Sequence, residues 1–324
     1  MNRTLALFAL AGTILVASAC GGQLAPSYLT GPMKVGFVPK TLDQEFWVTT
    51  EQGARAGGEG EDATVLVQAP TGELAVDEQI AIVENLLTQN IDALVIAPSD
   101  SILMKPVLTR ASEEVPVVLV DTDIPGWKEK ETYIGSDNIE AGLEAGRYLK
   151  KQMDGNGTIA LLTGIPGSVT GDQREAGMRK AIKGTDIKVV GEIAADYDRL
   201  KAVGAMEDIL QTHPDVDAVF ATNDQMALGA IEALQTYQND AILVGVDGAV
   251  EATQAIIAGD MDATVAQNPY AMGKVGVEQA TRAAQGRSVD PKINTGLTLV
   301  TKENATSYLK IREKQLGSLL GVED

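Results

Sequence analysis

Cysteine and histidine are almost missing from this chain of 324 residues, since each occurs only once, as Cys20 and His213. One cysteine cannot form an internal disulfide bond, and one histidine cannot complete a metal site that needs two imidazoles. His213 stands in Thr212-His213-Pro214, directly after a helical pattern, where we expect it to end a helix or face solvent rather than to act in catalysis. The sequence therefore predicts neither a disulfide scaffold nor a metal or other cofactor.

Positive charge is also scarce. Lys and Arg total 26 against 45 Asp and Glu, which gives a formal net charge of -19. Residues 1–19 carry Arg3 and no acid, so the remainder has 25 basic and 45 acidic residues and a net charge of -20. A chain this acidic should repel nucleic acid and anionic lipid surfaces. We therefore expect no nucleic-acid partner, and the simplest interpretation of the acidity is a solvated surface.

Hydrophobic runs of about 20 residues, the length needed to span a bilayer, are absent. The apolar stretch Leu5–Val16 is shorter and fits the core of a secretory signal peptide over residues 1–19. Ala17-Ser18-Ala19-Cys20 resembles a bacterial lipobox, in which the cysteine is acylated, with Ala17 where leucine is commonest. The same three residues before Cys20 also fit a plain cleavage site. Residues 20–32 read as a flexible tether, so we predict an extracytoplasmic protein, periplasmic or held at the cell membrane only by a lipid on Cys20.

Short apolar segments alternate with amphipathic ones from Met33 onwards. Nine segments rich in Val, Ile and Ala, mostly without polar alternation, are typical of strands buried on both faces of a parallel sheet. They are Lys34–Val38, Thr64–Gln68, Ala93–Ala97, Val115–Val120, Thr158–Leu162, Ile187–Ile193, Ala218–Ala221, Ile242–Val246 and Ala263–Ala266. Strand–helix alternation predicts an α/β fold, and the strand number favours two doubly wound parallel-sheet lobes. The glycines of Gly53–Gly60 are expected to weaken the end of their helix.

Polar and aromatic residues follow the predicted strands, at the sheet edge where ligands bind in such folds. They include Lys40, Gln44, Phe46, Trp47, Asp121, Asp172, Tyr197, Asn223, Asp247 and Gln267. The set lacks the Ser/His or Cys/His pairs of nucleophilic catalysis. Aromatic rings can cover the C–H faces of a sugar, while carboxylates and amides bond to its hydroxyls. A sugar or polyol site fits these residues, although Asp198 and Asp224 also fit helix N-caps and the Phe46-Trp47 pair also fits a core or staple role.

Five segments carry a closer resemblance. They are Ala218–Gly229, Val244–Gly248, Gly135–Asn138, Ala195–Arg199 and Ala263–Gln267. Through them the chain resembles, from about Val35 to Lys302, the ribose/galactose-type solute-binding proteins of ABC transporters. The resemblance implies a periplasmic-binding-protein-like fold with two lobes, residues 33–136 plus 268–296 and residues 137–267 plus 297–312, followed by a tail at 313–324. It also implies three crossings between the lobes, near Ser136, Gln267 and Gly296.

The same resemblance implies roles for individual residues. Phe46 and Trp47 match aromatics that stack on the sugar, and Tyr197 matches the aromatic opposite. The matching hydrogen-bonding residues are Gln44, Asp121, Asn223, Asp247 and Gln267, with Ser136 at a crossing.

Three positions depart from the pattern of ribose binders, because Thr122 and Asp172 replace arginines and Lys40 replaces a small hydroxyl residue. An arginine fork reads two acceptors and an ammonium only one. We therefore expect a sugar or polyol other than ribose, for instance an amino sugar facing Asp172. The alternative is that Lys40 and Asp172 pair with each other.

The function implied is capture of a monosaccharide or polyol by a monomer that delivers it to an ABC transporter permease, without catalysis. A sensor component that presents the ligand to a chemoreceptor or kinase needs the same residues. A binder of a non-sugar solute and a glycosidase, which needs only two carboxylates, also stay open. A DNA-binding regulator of similar fold would begin with a helix-turn-helix instead of a secretion signal. The loop Gly164-Ile165-Pro166-Gly167-Ser168 lacks the lysine of a phosphate-binding loop.

Overall fold

A computed structural model describes residues 31–320, with side chains through Gln315. The predicted signal peptide and Cys20 lie outside the described residues. The strands in this part of the chain are β1 (Met33–Val38), β2 (Ala63–Val67), β3 (Ala93–Ile96), β4 (Val117–Val120), β5 (Thr132–Gly135), β6 (Asn156–Thr163), β7 (Asp186–Ala194), β8 (Ala218–Ala221), β9 (Ile242–Asp247), β10 (Ala263–Ala266), β11 (Lys292–Asn294) and β12 (Thr298–Thr301). The helices are α1 (Glu45–Gly60), α2 (Val76–Thr88), α3 (Lys105–Ser112), α4 (Asn138–Gln152), α5 (Val169–Ile182), α6 (Arg199–Thr212), α7 (Asp224–Tyr237), α8 (Val250–Ala258), α9 (Pro269–Ala284) and α10 (Ala305–Leu320).

The strands form two six-stranded sheets, in the orders β11-β5-β4-β3-β1-β2 and β12-β10-β9-β8-β6-β7. Every pairing is parallel except that of β10 with β12, which is antiparallel. Apolar side chains cover both faces of each sheet, which is why the strands read as continuous apolar runs. The predicted α/β class with two lobes is confirmed, and each of the nine predicted strands is present.

Three passes of the chain connect the two sheets. The chain leaves the first sheet after β5, returns to it after β10, and leaves again between β11 and β12. Helix α4 packs on α5 and β9, whereas α9 packs on α1, β3 and β4, so the passes fall near residues 136, 267 and 296. We call the two halves the first and second lobes and keep the predicted lobe boundaries as our proposal.

Helices α1 and α9 approach each other closely through glycine. A Cβ atom built on Gly57 would lie 2.5 Å from the carbonyl oxygen of Lys274, so no larger residue fits there without a shift. The glycine-rich segment therefore does not end its helix early, and α1 continues to Gly60. The conformational cost of glycine in a helix is offset by the tight packing that glycine permits.

Candidate functional site

A cavity lies between the lobes, at the carboxyl ends of the strands. In such sites a few convergent polar groups fix the orientation of the ligand, and apolar and aromatic side chains supply the rest of the contact. Its lining residues are Lys40, Gln44, Phe46, Trp47, Glu73, Asp121, Thr170, Arg174, Tyr197, Asn223, Asp247 and Gln267. Because both lobes contribute, a solute in the cavity contacts both sides at once.

Lys40 and Asp121 form a buried ion pair on the first-lobe wall. Their Nζ and Oδ2 atoms are 3.7 Å apart, and Thr122 Oγ1 donates to the same Oδ2 at 2.7 Å. Burial by itself would lower the pKa of Lys40, but the carboxylates of Asp121 and Glu73 outweigh it and raise the pKa. Lys40 is therefore a protonated donor on this wall. Asp121 has a φ of 60°, a conformation that non-glycine residues adopt at a cost, and Tyr133 Oη donates to its carbonyl oxygen at 2.8 Å.

Trp47 forms the apolar part of the same wall. Its ring meets Phe46 edge to face, with centroids 4.9 Å apart, and Lys40 Nζ lies 5.6 Å from its centroid, within reach of a cation–π interaction. Its indole Nε1 donates to Glu73 Oε1 at 2.7 Å. Burial raises the pKa of Glu73, and the Lys40 ammonium opposes that rise. Ring, ammonium and carboxylate thus form one connected group.

Arg174 organises the second-lobe wall from α5. It donates to Asn138 Oδ1 at 2.9 Å, to the Thr222 carbonyl oxygen at 2.8 Å and to Asp247 Oδ1 at 3.5 Å. Gln267 Nε2 donates to the same Oδ1 at 2.8 Å. Asp247 therefore has one oxygen held by the protein, and its other oxygen makes no hydrogen bond with the described residues.

Burial raises the pKa of Asp247 to about 6, although the Arg174 guanidinium opposes the rise. A second carboxyl, Asp224, lies behind it and accepts hydrogen bonds from Ala249 N at 2.8 Å and Thr264 Oγ1 at 2.7 Å. Burial raises the pKa of Asp224 well above its ordinary value, and the neighbouring Asp247 adds to the effect. Two buried carboxyls this close disfavour simultaneous ionisation.

Asn223 serves both the fold and the cavity. Its Oδ1 accepts from Met226 N at 3.0 Å and so caps α7, which leaves its Nδ2 amide group as a donor at the cavity. Asp224, one of the two expected caps, does not cap a helix, whereas Asp198 does, by accepting from Lys201 N at 2.8 Å. A single strand-end asparagine therefore fills a structural role and lines the cavity.

Tyr197 closes the second-lobe wall. It has a φ of 60°, and its hydroxyl lies 2.8 Å from Ser168 Oγ and 3.4 Å from Thr170 Oγ1. A Cβ atom at Gly171 would lie 2.5 Å from the Tyr197 hydroxyl, so the ring occupies space that a larger residue would take. The loop before α5 is thus used to seat an aromatic ring.

Two residues predicted as ligand contacts, Ser136 and Asp172, are not among the residues that line the cavity. Ser136 is buried at the first crossing, where its Oγ lies 3.5 Å from Thr295 Oγ1 and 3.4 Å from the Gly296 carbonyl oxygen; it joins two crossings and does not line the cavity. Asp172 is exposed and lies outside the cavity. It does not pair with Lys40, whose ion-pair partner among the described residues is Asp121.

The helical phase of α5 explains why Asp172 does not line the cavity. Thr170 and Arg174, four residues apart, share the face of α5 that lines the cavity, and Asp172, midway between them, points elsewhere. The other nine predicted residues line the cavity, together with three that sequence reasoning did not select: Glu73, Thr170 and Arg174. The spacing of four between Thr170 and Arg174 was available in the sequence, whereas nothing in the sequence placed the β2–α2 loop beside Trp47.

Within the described residues 31–320, no group of three His, Cys, Asp or Glu side chains could hold a metal ion. None of the helices described there combines the length and apolar character needed to cross a bilayer.

Comparison with known proteins places these features in a family. The chain matches the sequence profile described as periplasmic binding protein domain over residues 35–288. It is 33% identical over 270 residues to the ribose import binding protein of Bacillus subtilis, and this match covers 83% of this chain and 87% of the relative. It is 29% identical to the D-allose-binding periplasmic protein of Escherichia coli, over 78% of this chain and 85% of the relative.

Two crystal structures have the same fold. An ABC transporter solute-binding protein of Mycobacterium smegmatis with bound glycerol has a TM-score of 0.81 and 32% identity, covering 86% of this chain and 96% of that chain. One of Bacillus halodurans C-125 with bound myo-inositol has a TM-score of 0.81 and 28% identity, covering 86% of this chain and 98% of that chain. This chain belongs to the periplasmic binding protein domain family, the extracytoplasmic solute-binding proteins of ABC transporters.

Proposed function

We propose that this protein captures a monosaccharide or related polyol outside the cytoplasm and delivers it to the permease of an ABC transporter. The observation that carries the proposal is the cavity, whose lining is drawn from both lobes and combines aromatic rings with carboxylates and amides. A solute gains from closure of two lobes only if it contacts both. Hinge closure around ligands is general for periplasmic binding proteins.

The chemistry of the lining suits a polyhydroxylated ring. Trp47 and Tyr197 offer apolar surface for C–H groups, while Asp121, Asp247 and Asn223 offer acceptors and a donor for hydroxyls. Relatives and structural neighbours that bind ribose, allose, glycerol or myo-inositol support a small polyol as the ligand. We propose that the nine predicted residues that line the cavity contact it directly.

Binding without turnover is part of the proposal, since the relatives are transport proteins. An acylated Cys20 would tether the protein to the membrane through residues 20–32. The docked protein would then release its solute to the permease as the lobes open. An assay with aryl glycosides tests for turnover, and we expect none.

A thermal-shift screen of the purified protein against pentoses, hexoses and cyclitols tests the proposed function. A ligand at 100 times its Kd adds about 2.7 kcal/mol to stability, which raises Tm by several degrees in a protein of this size. We expect a selective shift with one or a few neutral sugars, and its loss in Asp247→Ala. No shift with any of them, in protein shown by mass spectrometry to be free of bound solute, would refute a sugar-binding role.

A further inference from the structure

We propose that Glu73 is a specificity-determining ligand contact, whose free carboxylate oxygen accepts a hydrogen bond from a hydroxyl or protonated amino group of the solute. The cavity then takes neutral or protonated polyols and rejects sugar acids. The inference rests on the proposed function and adds a charge preference and a residue that sets it.

The hydrogen bonds of Glu73 leave one oxygen available. Trp47 Nε1 donates to Oε1 at 2.7 Å, and no residue with a described side chain donates to Oε2. Glu73 lies in the loop between β2 and α2 and lines the cavity beside Lys40 and Asp121. The bond from the indole fixes the carboxylate, so Oε2 is a positioned acceptor in a partly buried site, where an acceptor gains most from a matching donor.

The charges of the lining favour donors over anions. Two cations, Lys40 and Arg174, stand against three carboxylates, Glu73, Asp121 and Asp247. Arg174 already donates to three acceptors of its own lobe. On the first-lobe wall the Lys40 ammonium is therefore the one cation of the cavity lining beside two carboxylates, those of Asp121 and Glu73. Its Nζ lies 3.7 Å from Asp121 Oδ2. A ligand carboxylate or phosphate would add a like charge to this wall, which is unfavourable at short range.

The opposite side of the cavity has the same preference. Gln267 is only 5% exposed, its Nε2 donates to Asp247, and its buried Oε1 has no hydrogen-bond partner among the described residues. An unpaired buried acceptor costs free energy until a donor reaches it. Glu73 Oε2 and Gln267 Oε1 are thus two acceptors without a described donor, and the hydroxyl groups of a polyol can donate to both.

Glu73→Gln separates ligand contact from support of the indole. The amide keeps one oxygen for Trp47 Nε1 but replaces the free oxygen with an NH₂ donor. The probes are D-ribose, D-allose and myo-inositol, with D-galactose and D-glucose compared against D-galacturonate and D-glucuronate. Binding is measured by isothermal titration at pH 7.5. Asp77→Asn is the matched control, because it removes one negative charge from the exposed start of the neighbouring helix α2.

We expect wild type to bind at least one neutral probe and to bind neither acid more tightly than its neutral counterpart. Glu73→Gln should weaken the neutral probe by about tenfold or more and reduce any discrimination against the acids. Glu73→Asp, which keeps the charge but withdraws it by one methylene, should weaken binding and keep the discrimination. Asp77→Asn should bind like wild type.

Three results would overturn the inference. Affinity of Glu73→Gln within twofold of wild type, with Glu73→Ala weakened, would mean that Glu73 only supports Trp47. Tighter binding of an acid than of its neutral counterpart by wild type would refute the charge preference. If wild type binds none of these probes and no other sugar or cyclitol of the thermal-shift screen, the proposed function fails, and this inference fails with it.

Discussion

Glu45→Gln should weaken solute binding although Glu45 lies outside the set of residues that line the cavity. Glu45 begins α1 in the first lobe, yet its carboxylate accepts hydrogen bonds from two partners in the second lobe. Its Oε2 accepts from Val250 N at the start of α8, at 2.9 Å, and its Oε1 accepts from Arg312 Nη2 of α10, also at 2.9 Å. Arg312 is 3% exposed, so the interaction is shielded from solvent. Because both bonds join the two lobes, we expect opening of the lobes to break them.

The size of the effect follows from these two bonds. A hydrogen bond to a charged group contributes about 1.5–3 kcal/mol, and Gln keeps one acceptor oxygen, so we expect the closed form to lose about 1–3 kcal/mol. Where the free protein is mostly open, the whole loss appears in the affinity. At about 1.4 kcal/mol for each factor of ten, the Kd should rise roughly 5- to 150-fold. The stability of each lobe should change little, because neither bond lies within a lobe.

The assay is isothermal titration with the sugar that stabilises the wild type most, together with small-angle scattering of the free and bound protein. Glu51→Gln is the control, because Glu51 lies on the same helix and pairs only within it, with Arg55 at 2.6 Å. Binding of Glu45→Gln within twofold of wild type, or equal weakening of binding by Glu51→Gln, would rule out a role for Glu45 in stabilising the closed form.

Two further predictions concern the second-lobe wall. Because the pKa of Asp247 is raised to about 6, affinity for a neutral sugar should fall about tenfold per pH unit below that value, and Asp247→Asn should remove this dependence. The same raised pKa means that the folded protein holds this proton more tightly than the unfolded chain does. The contribution of Asp247 to the free energy of unfolding should therefore fall as pH rises from about 4 to about 6. Chemical denaturation of wild type and Asp247→Asn over this range measures it, and a stability difference that does not change with pH would contradict the raised pKa. Arg174→Met should lower the free energy of unfolding by about 3–5 kcal/mol, because it leaves buried acceptors unpaired. Arg179 is a half-exposed ion-pair residue on the same helix, so Arg179→Met should lower it by about 1 kcal/mol or less. Equal effects of the two substitutions in denaturant titrations would argue against a structural role for Arg174.

Burial pattern made the sheets predictable from sequence. Most of the nine predicted strands are short and apolar on both faces, as in the fully buried β3 and β8, whereas β7 has nine residues with exposed polar positions. Strand β5 is equally buried but was not predicted. Strands β11 and β12 have three and four residues with partly exposed patterns, which leaves too little periodicity to recognise. The cavity residues directly after strands were predictable for the same reason, since parallel strands bring their carboxyl ends to one edge.

The remaining site residues depend on tertiary packing. Asp172 was placed in the site by its match to a family position, whereas the rotation of α5 directs Thr170 and Arg174 inward instead. Glu73 reaches the site because the β2–α2 loop folds over Trp47, 26 residues earlier in the chain. The bond between Glu45 and Arg312 joins residues 267 positions apart, and no local pattern indicates such a pair.

A crystal structure of the protein with the sugar that gives the largest thermal shift tests whether the cavity between the lobes is a sugar site. We expect one sugar ring in the cavity, with Trp47 against one of its faces and hydrogen bonds to Asp121 of the first lobe and Asp247 of the second. A sugar bound elsewhere, or bound to one lobe alone with the cavity empty, would contradict it.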